Sequence, residues 1–480
     1  MTGKRVLFLT PPVSGKNVPD RVFGCNYSVF FQHNIFMLYP ATLLQQKGFD
    51  VKVTDCVVEN KTLKEAMDFC PDVCVFYSVF LSIENDLATA SRISEANPGA
   101  KFVFMGSGPS AYPNRYLRGS NYFVVRGEPE YTLLDLMRNI DRADKSAVRG
   151  ISWKRKGKVV HNGMRPLITN IDRLPIPDRT LLEDSRKYYN AKFRKLPSTT
   201  MLTSRNCSFK CYYCVPNSLS FARELEWKRF HRGKPPVAKR SPENIISEFR
   251  EIARQGYRSV FILDDQFVWG KERTIGIMEG IKGFGLEIAL LARPDMLKDE
   301  EIVRAMKEAG VTHVDMGIES FRQEILDYIG KGLDVETIDV AIGNLKKYGI
   351  DPEINVLFGS CPLETKETMK DTMEKVEKLG VEIVHIAICT PFPGTEFRKR
   401  AIREGWLSEK GPYRPIDPAL DSLIEYPHLT KNDLRHAVKT LYFKHYYGKK
   451  YLARQLMRIR SPREFAQKLK TAINIRKKFS

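Results

Sequence analysis

The sequence predicts an α/β protein in which a doubly wound parallel sheet precedes six further strand–helix units and a helical C-terminal region. Strand and helix patterns alternate over residues 1–140 and again over residues 197–408, whereas residues 409–480 show no strand pattern. The strand runs are apolar and rich in Val and Phe, which is typical of parallel sheets covered on both faces. We therefore expect a sheet domain (1–140), a linker (141–196), a second α/β domain (197–408) and a tail (409–480).

Five apolar runs in the first region predict strands, and helical patterns separate them. Gly48 and Gly99 lie just past two of these helical patterns, where a left-handed residue most easily ends a helix. The predicted strands are residues 5–10, 51–55, 72–78, 101–106 and 122–125. Such a doubly wound sheet binds its ligands at the carboxyl ends of its strands.

The linker does not show this alternation of strand and helix patterns. Pro175 and Pro177 keep it extended, and the run GISWKRKGKVVHN (150–162) predicts a small hairpin.

The second region supplies six strands separated by helices. The best-marked helix begins after Ser241, an N-capping residue followed by Pro242, and ends at Gly256. Six units are two fewer than a closed eight-fold barrel contains, so we expect a partial (βα)6 barrel with an open side cleft. The predicted strands are residues 199–204, 259–264, 287–292, 312–318, 353–359 and 382–388.

Charge is concentrated in the tail. The chain has a net charge of +20, and residues 431–480 carry 15 Lys and Arg against 2 Asp and Glu. Such a surface suits anionic lipid, an acidic protein or nucleic acid, or is simply a solvated helical face.

Nine cysteines are present, and the first apolar stretch, VLFL, is too short for a signal peptide. We therefore expect a cytoplasmic protein, in which cysteines do not form a disulfide framework. Cys56, Cys70 and Cys74 lie in or beside apolar strands, so we expect them to be buried.

Three other cysteines form a cluster. Cys207, Cys211 and Cys214 have the spacing Cys-x3-Cys-x2-Cys, directly after the first strand of the second region. Iron–sulfur clusters usually take four cysteine ligands, so three on one loop predict a [4Fe–4S] cluster with one iron left open. Zinc is the metal alternative, but it requires a fourth Cys or His for a closed tetrahedron. Cysteines that bind no metal are the other alternative.

This region resembles the radical S-adenosylmethionine (SAM) superfamily, on the cysteine motif with Tyr213 before its third cysteine and on the strand ends VFILDDQF, LLARPD and VDMGIESF. The resemblance implies that the cluster cleaves SAM to a 5′-deoxyadenosyl radical. It also implies SAM-binding roles for Tyr213, Asp264, Asp265, Arg293 and Glu319. Salt bridges at strand ends are the alternative for the four charged residues. Ser360-Cys361-Pro362 departs from the family pattern after the fifth strand.

The first region, a flavodoxin-like sheet ahead of this barrel, resembles the cobalamin-binding domain of cobalamin-dependent radical SAM enzymes. The resembling segments are Ser78, FMGSGPSAYP (104–113) and VVRGEPE (124–130). The resemblance implies that cobalamin contacts Ser78, Gly106, Gly108, Gly127 and Glu128, with Glu128 capping the next helix. The sequence lacks the Asp-x-His-x-x-Gly motif that supplies a histidine ligand to cobalt. A degenerate domain that binds nothing is the alternative.

The whole order of parts resembles the anaerobic magnesium-protoporphyrin ester cyclases and the hopanoid- and lipid-modifying radical SAM proteins. It implies functionalisation of an unactivated carbon, foremost by C-methylation. The alternatives are oxidative cyclisation or rearrangement of a lipid or tetrapyrrole, tRNA methylthiolation, and a non-catalytic cobalamin carrier or sensor. Methylthiolation would require three further cluster cysteines and a terminal RNA-binding barrel, which the sequence does not offer.

The expected partners are a small-molecule or lipid-like substrate and a one-electron reductant such as flavodoxin or ferredoxin. The basic tail, with its interleaved rings Tyr442, Phe443, Tyr446, Tyr447 and Tyr451, predicts a peripheral contact with an anionic membrane surface. A helix packed on the barrel is the alternative, and nucleic acid is not favoured.

Overall fold

A computed structural model describes residues 3–458, apart from 14, 16, 29 and 410, together with residues 469, 473 and 476. The chain separates into two compact units. The first unit comprises residues 1–208, 215–291 and 305–312, and the second comprises residues 209–214, 292–304 and 313–480. The domain boundaries at 140, 196 and 408 stay a prediction.

The N-terminal sheet has seven strands in the order β2-β1-β3-β4-β5-β6-β7. Strands β1 to β5 pair in parallel, and β6 and β7 form an antiparallel hairpin that extends the sheet. The strands are β1 (Arg5–Thr10), β2 (Asp50–Asp55), β3 (Val73–Tyr77), β4 (Lys101–Met105), β5 (Tyr122–Val125), β6 (Ile151–Arg155) and β7 (Lys158–His161). The five predicted strands and the linker hairpin are confirmed.

Helices α1 to α7 connect these strands. They are α1 (Ile35–Gln46), α2 (Cys56–Glu59), α3 (Leu63–Met67), α4 (Ile83–Ala96), α5 (Ser107–Ala111), α6 (Pro113–Tyr116) and α7 (Glu130–Asn139). The apolar runs β3 and β5 are buried along their whole length, as expected for strands with helices on both faces.

A second sheet has six strands in chain order, β8-β11-β12-β13-β14-β15. Strands β8, β11 and β12 pair in parallel, and so do β13, β14 and β15. The strands are β8 (Ser198–Met201), β11 (Ser259–Ile262), β12 (Glu287–Leu291), β13 (Val311–Glu319), β14 (Asp351–Phe358) and β15 (Ile383–Ile388). A separate two-stranded ribbon consists of β9 (Ser204–Arg205) and β10 (Ala238–Lys239). The six predicted strand–helix units are confirmed.

Ten helices follow in the described part of the chain. They are α8 (Ser218–Trp227), α9 (Pro242–Arg254), α10 (Lys271–Ile281), α11 (Glu300–Ala309), α12 (Gln323–Tyr328), α13 (Val335–Lys347), α14 (Lys366–Leu379), α15 (Glu396–Arg403), α16 (Lys431–Tyr446) and α17 (Lys449–Arg458). Helix α9 begins as predicted, because the Ser241 hydroxyl accepts a hydrogen bond from the Asn244 N–H at 3.2 Å.

One apolar cluster of the first unit extends beyond the N-terminal sheet. It contains Val6 and Val75 from that sheet, Tyr188 from the linker, and Phe261 and Ala289 from β11 and β12. Burial of such a continuous apolar surface stabilises the unit as a whole.

The last strand, β15, has its outer edge covered by the C-terminal region of the second unit. The Tyr446 hydroxyl accepts from the Val384 N–H at 3.1 Å and donates to the Val384 carbonyl at 2.9 Å. The Ile388 N–H donates to the Pro418 carbonyl at 2.7 Å. An uncovered edge would leave these backbone groups without partners, so α16 takes the place of a neighbouring strand.

We predict that Tyr446→Phe lowers the free energy of unfolding by about 1–3 kcal/mol, because two backbone groups of β15 lose their partner. Urea unfolding followed by circular dichroism measures this. Tyr348→Phe is the matched control, since the Tyr348 hydroxyl bonds Glu300 at the exposed surface of the same unit, and we expect a change below about 0.5 kcal/mol. Equal losses in both variants would contradict the role of α16.

Candidate functional site

The three cysteines of the motif differ in burial from most other cysteines in the chain. Cys207, Cys211 and Cys214 are half-buried and form no disulfide, whereas Cys56, Cys74, Cys361 and Cys389 are buried. Burial raises the pKa of the Cys56 and Cys74 thiols to about 12, which keeps them protonated and inert. Partial exposure on one short loop leaves the motif thiols able to ligate metal, so the donor set fits a cluster.

One expectation about the remaining cysteines is wrong. Cys70 is exposed, because it lies in the turn after α3 with a positive φ of 47°, where its Sγ contacts the Asp68 carbonyl at 3.6 Å.

The segment that leads into the motif is fixed by Asp264. This wholly buried carboxylate accepts from the Thr203 N–H at 2.6 Å, from the Thr203 hydroxyl and from the Ser204 hydroxyl at 2.7 Å. Burial raises the pKa of Asp264, and the hydrogen bonds oppose this. In the structure Asp264 therefore orients the backbone that precedes Cys207.

Asp265 accepts a hydrogen bond from the Asn217 N–H at 2.7 Å through one oxygen. Its other oxygen, Oδ2, is buried and has no hydrogen-bond partner in the described structure. Burial raises the pKa of Asp265 to about 6. An unsatisfied buried carboxylate oxygen at the end of a barrel strand suits a ligand hydroxyl.

In the second unit, Tyr213 and Glu319 lie together. Burial raises the pKa of Tyr213 well above its usual range, and the charge of the nearby Glu319 adds to the effect. The Glu319 carboxylate accepts from the Lys331 ammonium at 2.8 Å, and both side chains are more than nine-tenths buried. No sequence motif indicates Lys331.

The backbone of β13 is shaped around this ion pair. A Cβ at Gly317 would lie 2.5 Å from Glu319 Oε1 and 2.8 Å from Lys331 Nζ, so a larger residue there would displace the charged ends of both side chains. The pairing of β13 with β14 shifts register between Gly317 and Glu319, and Glu319 has a positive φ of 69°. Such conformations cost about 1–3 kcal/mol and are concentrated at functional sites.

Arg293 connects this group to the cysteine loop. Its guanidinium donates to the carbonyls of Lys331 at 3.0 Å and Gly332 at 2.8 Å, and it pairs with Asp295 at 2.9 Å. It also stacks over the Phe209 ring, at 3.5 Å from the ring centroid. The predicted alternative, a salt bridge, is present together with these backbone contacts.

Small residues follow β3, β4 and β5 at the carboxyl edge of the N-terminal sheet. A Cβ at Gly106 would lie 2.6 Å from the Ser78 carbonyl, and one at Gly108 would lie 2.5 Å from the Tyr116 hydroxyl. Gly106 and Gly127 have positive φ values of 109° and 70°. Gly106 and Gly127 therefore require glycine, and Gly106 and Gly108 bring the backbones of neighbouring loops into close approach.

Two hydroxyl groups at this edge differ in their partners. The buried Ser78 hydroxyl bonds the Tyr116 hydroxyl at 2.8 Å. The buried Ser107 hydroxyl, directly after Gly106, has no hydrogen-bond partner in the described structure. An unsatisfied hydroxyl beside close-packed glycine backbone fits a polar ligand such as the side groups of a corrinoid.

The predicted capping role of Glu128 is wrong. Helix α7 is preceded by Pro129 and has no side-chain cap. The Glu128 carboxylate instead binds Arg205 at 2.8 Å and Arg223 at 3.2 Å, and accepts from the Ile168 N–H at 2.7 Å. Two arginines distant in sequence outcompete the local helix terminus for this carboxylate.

A further polar group lies on one face of β13, β14 and β15. Asp315, Glu353 and His385 bring ligand atoms within 4.8 Å of one another, a donor set that could hold a metal ion. The Glu353 carboxylate bonds the imidazole of His385, and Asp315 accepts from the Asn355 amide at 2.6 Å. No sequence motif indicated these residues, because they meet only through strand pairing.

Comparison with known families matches two parts of the chain. Residues 201–376 match the radical SAM superfamily, and residues 25–137 match the B12 binding domain.

Among curated proteins, the chain is 30% identical over 432 residues to an uncharacterized methyltransferase of Pyrococcus horikoshii, covering 88% of this chain and 89% of that protein. It is 26% identical to the anaerobic magnesium-protoporphyrin IX monomethyl ester cyclase of Rubrivivax gelatinosus, covering 75% of this chain and 64% of that protein. It is 25% identical to the hopanoid C-3 methylase of Methylococcus capsulatus, covering 74% of this chain and 66% of that protein.

Among solved structures, the fold is similar to the cobalamin-dependent radical SAM enzyme OxsB, with a TM-score of 0.71, 17% identity, and coverage of 97% of this chain and 70% of that one. It is also similar to the radical SAM methyltransferase TsrM of Kitasatospora setae, with a TM-score of 0.62 and 17% identity. The match covers 86% of this chain and 80% of that one. At these identities the similarity establishes the fold.

We predict that Gly317→Ala weakens SAM binding about tenfold, because the new methyl group displaces the Glu319–Lys331 pair at a cost of about 1–3 kcal/mol. Equilibrium dialysis of the cluster-loaded protein measures the dissociation constant. Gly343→Ala is the control, since a Cβ there meets nothing within 4 Å. An unchanged dissociation constant in Gly317→Ala would show that the ion pair does not shape this site.

Proposed function

This chain belongs to the radical SAM superfamily and carries a B12-binding domain, and we propose that it methylates an unactivated carbon of a small-molecule substrate. The observation that carries the proposal is the joining, in one chain, of the Cys207/Cys211/Cys214 loop to a glycine-lined B12-binding sheet. The Pyrococcus horikoshii relative, named a methyltransferase, covers nearly the whole chain and supports the same reaction.

The cofactors of this enzyme are a [4Fe–4S] cluster, SAM and cobalamin. When bound, they supply two things. One is a 5′-deoxyadenosyl radical that abstracts a hydrogen atom, and the other is a methyl group for the substrate carbon. Cys207, Cys211 and Cys214 would hold the cluster, because they are the half-buried cysteines of the motif and form no disulfide.

We assign the SAM site to Tyr213, Asp264, Asp265, Arg293 and Glu319. The unsatisfied Oδ2 of Asp265 suits a ribose hydroxyl, and the buried Glu319 carboxylate suits the cofactor's ammonium group. Asp264 and Arg293 act through the backbone, since their polar groups bind the segments beside the cysteine loop. Tyr213 lies close to Glu319, whose charge adds to the raised pKa of the Tyr213 hydroxyl.

We assign the cobalamin site to Ser78, Gly106, Gly108, Gly127 and Glu128. Gly106 and Gly127 allow close backbone approach, and the Ser107 hydroxyl offers a hydrogen bond. Glu128 contributes by fixing its loop to Arg205 rather than by capping a helix. The lack of an Asp-x-His-x-x-Gly motif supports cobalt without a protein imidazole.

Oxidative cyclisation is the second candidate function, favoured by the similarity to the magnesium-protoporphyrin ester cyclase. Anaerobic turnover with SAM labelled as trideuteromethyl, cobalamin and a one-electron reductant such as flavodoxin separates the two reactions. Methylation places a trideuteromethyl group in the product, whereas cyclisation removes hydrogen atoms and adds no deuterium. Cobalamin binding without any SAM cleavage would instead indicate a carrier or sensor.

We predict that Cys207→Ala, Cys211→Ala and Cys214→Ala each abolish cluster binding and 5′-deoxyadenosine formation, because a cluster cannot be held by two thiolates of the motif. Iron and sulfide analysis and chromatography of the reaction measure these losses. Cys70→Ala, which removes an exposed thiol outside the motif, should retain both properties. Deoxyadenosine formation at the unmodified rate in any motif variant would refute the cluster assignment.

We further propose that α17 binds an anionic membrane surface reversibly. Leu452, Leu456 and Met457 are 43%, 63% and 79% exposed on this basic helix, which suits insertion among lipid headgroups. The predicted contribution of Tyr442 and Tyr446 is wrong, because their hydroxyls bond the backbone of β15. Most of residues 459–480, which the same prediction included, lie outside the described residues. No helix among those described is long and apolar enough to cross a bilayer.

We predict that the protein floats with vesicles containing phosphatidylserine at low salt, and that Leu452→Ser/Leu456→Ser reduces the floating fraction several-fold. Salt should weaken binding, since screening shortens the reach of the basic residues. Leu363→Ser is the control, because Leu363 is 45% exposed outside α17. Equal flotation with uncharged vesicles, or none with anionic ones, would contradict the membrane contact.

A further inference from the structure

A short turn in the second unit is held against the cysteine loop. The Tyr212 N–H donates to the Ile329 carbonyl at 3.2 Å, and a Cβ at Gly330 would lie 3.5 Å from the Lys210 carbonyl. The turn, residues 329–332, therefore abuts the backbone on both sides of Cys211. Arg293 fixes its far end through two carbonyl groups.

Lys331, which follows Gly330 in this turn, brings a positive charge into the protein interior. Its ammonium is more than nine-tenths buried and bonds Glu319 at 2.8 Å above Gly317. A buried charge is retained where an opposite charge pairs with it, and the Glu319 carboxylate is that partner for Lys331. The ion pair therefore holds a positive charge at this position.

A buried cation beside a cysteine ligand favours added negative charge on that ligand's cluster, because electrostatic interactions are stronger inside a protein than in water. Gly317 leaves space beside the charged ends of Glu319 and Lys331. We propose that Lys331 is a positioning residue that stabilises the one-electron-reduced cluster, and that Glu319 moderates its effect. The inference rests on the proposed function only for the presence of the cluster.

The reaction to be measured is transfer of one electron from dithionite to the oxidised cluster, without proton uptake. The ratio of reduced to oxidised cluster is followed by electron paramagnetic resonance at a fixed solution potential, without SAM or substrate. We expect Lys331→Met to lower this ratio about tenfold, equivalent to about 59 mV for a one-electron couple. Lys331→Arg, which keeps the charge, should restore most of it.

Two further variants keep the test decisive. Glu319→Gln removes the opposing carboxylate and should raise the ratio, the opposite sign to Lys331→Met, which general damage to the site cannot produce. Lys375→Met removes a lysine that pairs with Asp339 at 2.7 Å on the surface of the same unit, and should leave the ratio unchanged.

A ratio in Lys331→Met within twofold of the unmodified protein, or a lowered ratio in Glu319→Gln, would overturn the proposal. If Lys331→Met binds no iron, the other two variants decide the question. The ratio of reduced to oxidised cluster should rise in Glu319→Gln and stay close to that of the unmodified protein in Lys331→Arg. Because the measurement requires no turnover, its result does not depend on the outcome of the methylation assay. A protein without methyltransferase activity could still show the predicted shifts.

Discussion

Parallel strand pairing is the constraint on which each part of the site depends. Neighbouring parallel strands end at the same edge of a sheet, so residues that follow them are brought together whatever their separation in sequence. In the N-terminal sheet, β3, β4 and β5 are neighbours, and Ser78, Gly106 and Gly127 follow their ends. In the second unit, Glu319 ends β13 beside β14. The strands are rigid and buried, which lets short loops hold polar groups in fixed positions.

Buried ion pairs then connect loops that strand pairing alone does not fix. Arg205, which lies two residues before Cys207, is wholly buried and pairs with Glu128 at 2.8 Å and Glu130 at 2.6 Å. Desolvating such groups is costly, and losing one partner typically costs about 3–5 kcal/mol. Within the first unit, the chain entering the cysteine motif is thereby tied to the loop after β5 at the proposed cobalamin edge.

The strands and the cysteine motif could be predicted from sequence because their signals are local. An apolar run such as VFIL or the spacing of Cys207, Cys211 and Cys214 can be recognised without knowing the rest of the fold. The sequence around Glu128 predicts a helix cap, because its partners Arg205 and Arg223 are far away in sequence. Lys331 was missed for the same reason, since its meeting with Glu319 depends on a register shift. The aromatic pattern of α16 fits a lipid interface and a strand edge equally well, and only the contacts of Tyr446 distinguish them.

The cover that α16 places over β15 has a consequence for how the chain tolerates shortening. A polypeptide ending at residue 408 would retain all six strands of the second sheet and every proposed ligand. It would nevertheless expose the outer backbone groups of Val384, Ile386 and Ile388, which Tyr446, Tyr442 and Pro418 now occupy. An open, apolar edge strand recruits strands from other molecules. Tyr446, Tyr442 and Pro418 thus close this edge to strands of other molecules, a role that would persist in a relative that never meets a membrane.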